Sequence, residues 1–262
     1  MSSIEMIGLT DTGMVREHNE DCFLIVPESG VAILADGMGG HLAGEVASAM
    51  AVDQVIHYLL QSFAELHKER LPKIDGRSSE SGALVEAIKT ANAAIHAASL
   101  AKAEQAGMGT TIVAVTFNDR RLTVAHVGDS RLYQYRYGVL SAVTEDHSMV
   151  QELLRRGLIT PEEARTSVNR NLVTRALGVD PAVDVDVKEQ TFEDGDIYLL
   201  CSDGLNDVLT DEEIAAKLAE SGGDLATAAR KMIADVNARG GPDNVSIVLI
   251  RTNGSFTRHG GH

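Results

Sequence analysis

Five aspartates of this chain share one local grammar: Asp21, Asp36, Asp129, Asp203 and Asp243 each stand at the end or the start of an apolar, strand-like run. The stretch Leu34-Ala35-Asp36-Gly37-Met38-Gly39-Gly40-His41 shows it most fully. Here one carboxylate closes the run from Val31 to Ala35, and three glycines and a histidine follow. Glycine lets the backbone turn sharply and bring its own carbonyls close to whatever the carboxylate holds. A carboxylate with bare backbone oxygen suits a hard cation such as magnesium or manganese, whereas zinc calls for a cysteine-rich or histidine-rich cluster. Taken singly, each of these acids also reads as a turn residue or as the start of a strand-to-helix connection. Gathered at one edge of a sheet, however, five carboxylates would raise one another's pKa, and bound cations would remove that conflict.

The elements that must position these acids follow from periodicity. Strands are expected at Ile4 to Thr10, Cys22 to Val26 and Val31 to Ala35, with Arg16 in the polar loop that leads to Asp21. Helical spacing runs from Ala43 to about Lys68 and from Ala83 to about Glu104, which predicts a helical layer laid across a sheet. The period then returns to that of strands at Thr111 to Phe117, Arg121 to Val127 and Arg131 to Tyr137, with Gly128-Asp129-Ser130 at the last junction. Residues 144–178 are charged and poorly periodic, which reads as a surface insertion. Strands resume at Val183 to Val187 and Asp196 to Cys201, and Ser202-Asp203-Gly204 repeats the arrangement seen at Asp36. Two helices, Thr210 to Glu220, opened by a Thr-x-x-Glu capping box, and Asp224 to Ala238, precede a final strand, Val245 to Arg251, and the Gly/His-rich tail from Asn253 reads as disordered.

Composition narrows the class. A chain of 262 residues can bury a substantial core, and a single domain is expected. The formal charge of −15, with no Lys/Arg-rich block, argues against a nucleic-acid or anionic-membrane partner. Cys22 and Cys201 lie in apolar runs and read as reduced core residues. Neither opens a Cys-x5-Arg phosphatase loop, because Glu28 and Asp207 stand where the arginine belongs. Walker A spacing is absent, and Leu42 replaces the third glycine of a dinucleotide fingerprint. Without a basic, apolar leader or a run of membrane-spanning length, the expectation is a cytoplasmic protein.

Seven blocks, in order, carry a resemblance: Arg16-Glu17-His18-Asn19-Glu20-Asp21, Asp36-Gly37-Met38-Gly39-Gly40-His41, Gly109-Thr110-Thr111, Val127-Gly128-Asp129-Ser130-Arg131, Thr174-Arg175-Ala176-Leu177-Gly178, Cys201-Ser202-Asp203-Gly204-Leu205 and Asp243-Asn244-Val245-Ser246. On these the chain resembles the metal-dependent Ser/Thr protein phosphatases of type 2C, the PPM family, in their bacterial stand-alone form. The resemblance implies an α+β fold, a four-layer α-β-β-α sandwich of two antiparallel sheets flanked by helices. It also implies one catalytic domain over residues 1–252, with a flap insertion at about 145–178 and a disordered tail at 253–262. Two core manganese or magnesium ions and a weaker third are its implied cofactors. Carried over by resemblance, Asp36 bridges the core ions, Gly37 offers its carbonyl, and Asp203 and Asp243 complete that pair. Asp21 joins directly or through water, with Glu20 as an outer neighbour, and Asp129 shares the third ion with Asp203. Arg16 would grip the substrate phosphate, and His41 would be the general acid, while His126 reads as structural.

The implied chemistry is hydrolysis of phosphoserine or phosphothreonine by in-line attack of a hydroxide held between the core ions. Phosphorylated proteins are the implied partners, an opposing eukaryotic-like Ser/Thr kinase is expected, and the chain is expected to be a monomer. Two alternatives stay open on sequence grounds: a non-catalytic module sensing metal or a phosphoprotein, and a small-molecule phosphoesterase. The chain departs from the family pattern at Arg165-Thr166-Ser167-Val168-Asn169-Arg170-Asn171, where members often carry a His-Pro or Arg-rich run.

Overall fold

The run that ends at Asp36 is apolar at every position because it forms a strand buried on both faces. In the computed structural model, residues 4–39, 43–66, 78–101, 103–165, 167, 169 and 172–258 are described. Strands β1 (Ile4–Asp11), β2 (Asp21–Val26) and β3 (Val31–Met38) lead into helices α1 (Ala43–Leu66) and α2 (Ser79–Ala101). They are followed by β4 (Gly109–Thr110), β5 (Ile112–Asn118), β6 (Arg121–Val127), β7 (Arg131–Arg136) and β8 (Val139–Ala142). Short helices α3 (Met149–Arg155) and α4 (Pro161–Arg165) precede β9 (Asp186–Thr191) and β10 (Ile197–Cys201). Helices α5 (Asp203–Asn206), α6 (Asp211–Glu220) and α7 (Leu225–Ala238) then lead to β11 (Val245–Thr252).

Two antiparallel sheets result, one in the order β1-β11-β10-β7-β8 and the other β2-β3-β5-β6-β9, with β4 added beside the end of β3. Alternation along each central strand divides its side chains between two cores. Ala32 and Leu34 of β3 meet Val248 and Ile250 of β11 between the sheets. Val31, Ile33 and Ala35 instead pack against Val55 and Leu59 of α1 and Leu84 and Ile88 of α2. On the opposite outer face Ile247 and Leu249 pack with Ile214 of α6 and Met232 and Val236 of α7. These three apolar layers hold together the expected four-layer α-β-β-α sandwich.

Some strands differ from their expected bounds for reasons of pairing. The strand expected at Val183 to Val187 forms instead at Asp186–Thr191, because its ladder partner is β6, with Asp186 opposite His126. Residues before Asp186 would need a partner beyond Val127, where Gly128 turns the chain away at φ 105°. Val183 and Val185 nonetheless pack on the helix-side core, which explains their alternation. Strand β8 carries no hydrophobic alternation because its residues are mostly exposed. Its signal is the two-residue turn Tyr137-Gly138, where φ values of 52° and 82° fit a tight hairpin.

Of the tail, residues 253–258 are described, and residues 259–262 lie outside the described residues. Phe256 exchanges backbone hydrogen bonds with Asp119 at 2.6 and 2.8 Å and is buried in the core between the sheets. Arg258 donates to the Ser29 and Phe117 carbonyls at 2.9 and 3.0 Å and stacks 3.6 Å from the centre of the Phe63 ring. One aromatic and one stacked cation thus tie residues 253–258 of this Gly/His-rich tail to the body of the protein. Phe256→Ala is expected to destabilise the protein by about 3 kcal/mol, typical for a buried phenylalanine. An unchanged urea midpoint would show the tail to be dispensable.

Candidate active site

Register, not proximity in sequence, brings the acids together. Asp21 opens β2 directly opposite Asp36 in β3. The Gly109-Thr110-Thr111 block then fixes the backbone of Asp36 from the other side. Its amide donates to Thr111 Oγ1 at 3.0 Å, and its carbonyl accepts from the Thr111 amide and the Thr110 hydroxyl, both at 2.8 Å. Thr111 Oγ1 also meets Ser130 Oγ at 2.6 Å, which ties the turn carrying Asp129 to the same strand end.

Asp203 and Asp243 arrive from the second sheet, at the end of β10 and just before β11. Ser202 knits this half to the first: its hydroxyl donates to Asp21 Oδ2 at 2.8 Å and accepts from the Ser246 amide at 3.0 Å. Asn244 staples the Arg16 loop in place, accepting from the Glu20 amide and donating to the Thr12 and His18 carbonyls, all at 2.9 Å. Two glycines are required by space alone. A Cβ on Gly37 would lie 2.2 Å from the Gly44 carbonyl oxygen, and one on Gly204 would lie 2.0 Å from that of Asn244.

The electrostatics fit the geometry. Burial first, and then Asp21, Asp203, Asp129 and Asp243, push the Asp36 carboxyl well above its usual range. The same holds for Asp203, raised by burial and then by Asp129, Asp207, Asp243 and Asp21. Burial chiefly raises Asp21 and Asp129, each to about 6. Glu20 is also raised by burial. Arg16 answers this charge: its Nη2 donates to Asp243 Oδ2 at 2.7 Å, and that bond is the main reason its own pKa rises. All five aspartates therefore interact as one group, with Arg16 and the Gly37 backbone beside them. His41 lies outside the described residues.

A divalent cation fits this donor set. Among the described residues Asp21 Oδ1 is buried with no hydrogen-bond partner, and a cation supplies the electrophile that such an oxygen lacks. Beside the acids opens a groove of about 460 Å³, lined by Asp129, Asp203 and Asp207 and by Val150 and Leu154 of α3. Without cations the native carboxyls hold protons that the unfolded chain has lost, so metal-free stability falls as pH rises from about 4 to about 6. Manganese should reverse this, adding about 10 °C to the melting temperature at pH 7 and less at pH 5, where protons compete for the same oxygens. A gain that is absent at pH 7, or larger at pH 5, would contradict a preformed site.

A second group among the described residues, His126, His147 and Asp186, brings possible ligand atoms within 4.8 Å of one another. The Gly128 amide donates to His147 Nδ1 at 3.1 Å, while Nε2 faces both Arg175 Nη1 at 3.1 Å and Asp186 Oδ2 at 3.4 Å. A guanidinium beside Nε2 repels a cation, and Nδ1 is already taken up by a backbone donor. His126 donates from Nε2 to the Glu145 carbonyl at 2.8 Å and stacks on His147, a structural role.

Comparison with known proteins places this geometry. The protein phosphatase 2C family pattern matches residues 15–239. The chain belongs to that family. A serine/threonine phosphatase, stp, of Listeria innocua serovar 6a is 37% identical over 247 residues, spanning 93% of this chain and 94% of that protein. The serine/threonine protein phosphatase PstP of Mycobacterium tuberculosis is 38% identical over 240 residues, 92% of this chain but 43% of its own length. The crystal structure of the M. tuberculosis phosphatase superposes with a TM-score of 0.84 at 36% identity, covering 95% of this chain and 99% of that one. The catalytic domain of PstP in complex with two manganese ions gives a TM-score of 0.80 at 36% identity, over 95% and 98% of the two chains. The four-layer sandwich is thus the protein phosphatase 2C fold. Sequence reasoning overlooked Ser202, Thr111 and Asn244 as builders of the site, although all three lie inside the quoted blocks.

Proposed function

We propose that this protein phosphatase 2C member is a metal-dependent protein-serine/threonine phosphatase whose Asp36, Gly37, Asp203 and Asp243 hold two manganese or magnesium ions. Asp21 joins that pair directly or through water, and Asp129 with Asp203 holds a weaker third. The convergence of five strand-end carboxylates around Asp21 Oδ1, which has no hydrogen-bond partner among the described residues, carries this reading. Bound divalent cations would supply water of lowered pKa and neutralise charge on the phosphoryl oxygens.

The chain's own residues supply the remainder. Arg16 is half-exposed at the rim with one nitrogen on Asp243, and its planar fork can bind two oxygens of a phosphate ester. His41 would donate a proton to the departing oxygen of serine or threonine. A Ser/Thr kinase is the class of enzyme that must make such substrates. Arg16→Ala is expected to lower kcat/KM about 10- to 100-fold, since a hydrogen bond to a charged group contributes about 1.5 to 3 kcal/mol. Steady-state kinetics on a phosphothreonine peptide measure this, and a loss below threefold would remove Arg16 from phosphate binding.

Phosphate release from a phosphothreonine peptide in manganese buffer, abolished by EDTA, tests the function itself. Binding of the peptide without release would favour a sensing module. Turnover confined to small phosphate esters would favour a small-molecule phosphoesterase.

A further inference from the structure

Two ties from one dipeptide bracket Asp129. On one side, the amide of Gly128 donates to His147 Nδ1 at 3.1 Å, and the amide of His147 donates back to the Gly128 carbonyl at 3.0 Å. On the other, Arg131 grips Asp146 through Nε and Nη2 at 2.8 and 2.7 Å. Asp129 lies between these anchors, and only 7% of its surface is accessible. We propose that Asp146-His147 is a positioning element that holds the Gly128 to Arg131 turn and so aims the Asp129 carboxylate toward its cation.

The other nitrogen of the His147 ring is held as well. Asp186 Oδ2 lies 3.4 Å and Arg175 Nη1 3.1 Å from Nε2, and Arg175 also donates to Asp186 Oδ1 at 2.9 Å. His126 covers one ring face at 4.7 Å, nearly parallel. Burial first, then His126 and Arg175, push the His147 pKa down to about 4, so the ring stays neutral and Nδ1 remains an acceptor at neutral pH. No side chain can replace Gly128, since its φ is 105° and a Cβ there would lie 2.7 Å from Thr111 Cβ. The arrangement is that of an outer residue which orients a ligand without touching the ion, and removal of such residues commonly costs about 10- to 100-fold in metal affinity.

The inference rests on the reading that Asp129 holds a cation, and the two can be tested apart. Manganese binding to the full chain is measured by calorimetry in the wild type, in Asp129→Ala, and in His147→Ala, His147→Gln and His147→Asn. An asparagine oxygen can reach the place of Nδ1, whereas glutamine, closer to histidine in size, places its oxygen nearer Nε2. The binding class lost in Asp129→Ala should weaken about 10- to 100-fold in His147→Ala and His147→Gln and be restored in His147→Asn, with the core class unchanged. An Asp129-dependent class that all three variants leave intact overturns the proposal alone. So does weakening of every class together, with asparagine no better than glutamine. Absence of any Asp129-dependent class overturns the third-ion reading and the proposal with it. One measurement needs no variant: nitrogen-15 NMR of the wild type should find His147 protonated on Nε2, and protonation on Nδ1 would contradict the proposal.

Discussion

Asp36→Ala is expected to lose at least about 10³-fold in turnover at saturating manganese, because several kcal/mol of metal-derived stabilisation depend on this ligand and each factor of ten corresponds to about 1.4 kcal/mol. The loss should not come from unfolding. Asp36 sits among Asp21, Asp203, Asp129 and Asp243, all of which oppose its ionisation in the metal-free protein. Removing one member of a mutually repelling group relieves the rest, so the variant should melt in EDTA at least as high as the wild type at pH 7. In manganese the order should invert, since the wild type gains from the ion and the variant does not. Peptide kinetics and paired melting curves check both parts. Activity within tenfold of wild type would end the assignment of Asp36 to the metal pair.

His41→Ala should separate substrates by how much their leaving group needs a proton. A phenolate leaves p-nitrophenyl phosphate readily, whereas phosphothreonine must release a basic alkoxide. General acid catalysis commonly contributes about 10²- to 10⁴-fold. The variant should therefore lose activity in that range on a phosphothreonine peptide and far less on p-nitrophenyl phosphate. Its kcat profile should also lose the limb that reports the acid. If His41 serves only to shape the glycine turn after Asp36, metal affinity and both substrates should suffer together. Equal losses on the two substrates, with chemistry limiting both rates, would refute the acid role.

The groove beside the acids gives the insertion at residues 144–178 a place in this scheme. Its helix α3 starts at the Ser148 cap immediately after Asp146-His147, and Val150 and Leu154 line the groove with Asp129 and Asp203. The insertion is therefore attached directly beside the turn that carries Asp129.

By itself the sequence determined which segments are strands buried on both faces, where the long helices lie, and that five acids end or begin strands. Those features are local: a run such as Val31 to Ala35 has no polar position because sheet and helix layers cover both of its sides. The capping box at Thr210 was equally legible, since it is satisfied within three residues. Only the tertiary structure decided that Asp21 faces Asp36, that Ser202 reaches Asp21 across 181 positions, and that Asn244 staples a loop 224 positions away. It also decided that Phe256 closes the core between the sheets and that β9 starts at Asp186. The physical reason is the same in each case: periodicity records which face of a segment leaves water, whereas register and long-range hydrogen bonds depend on which partner then covers that face.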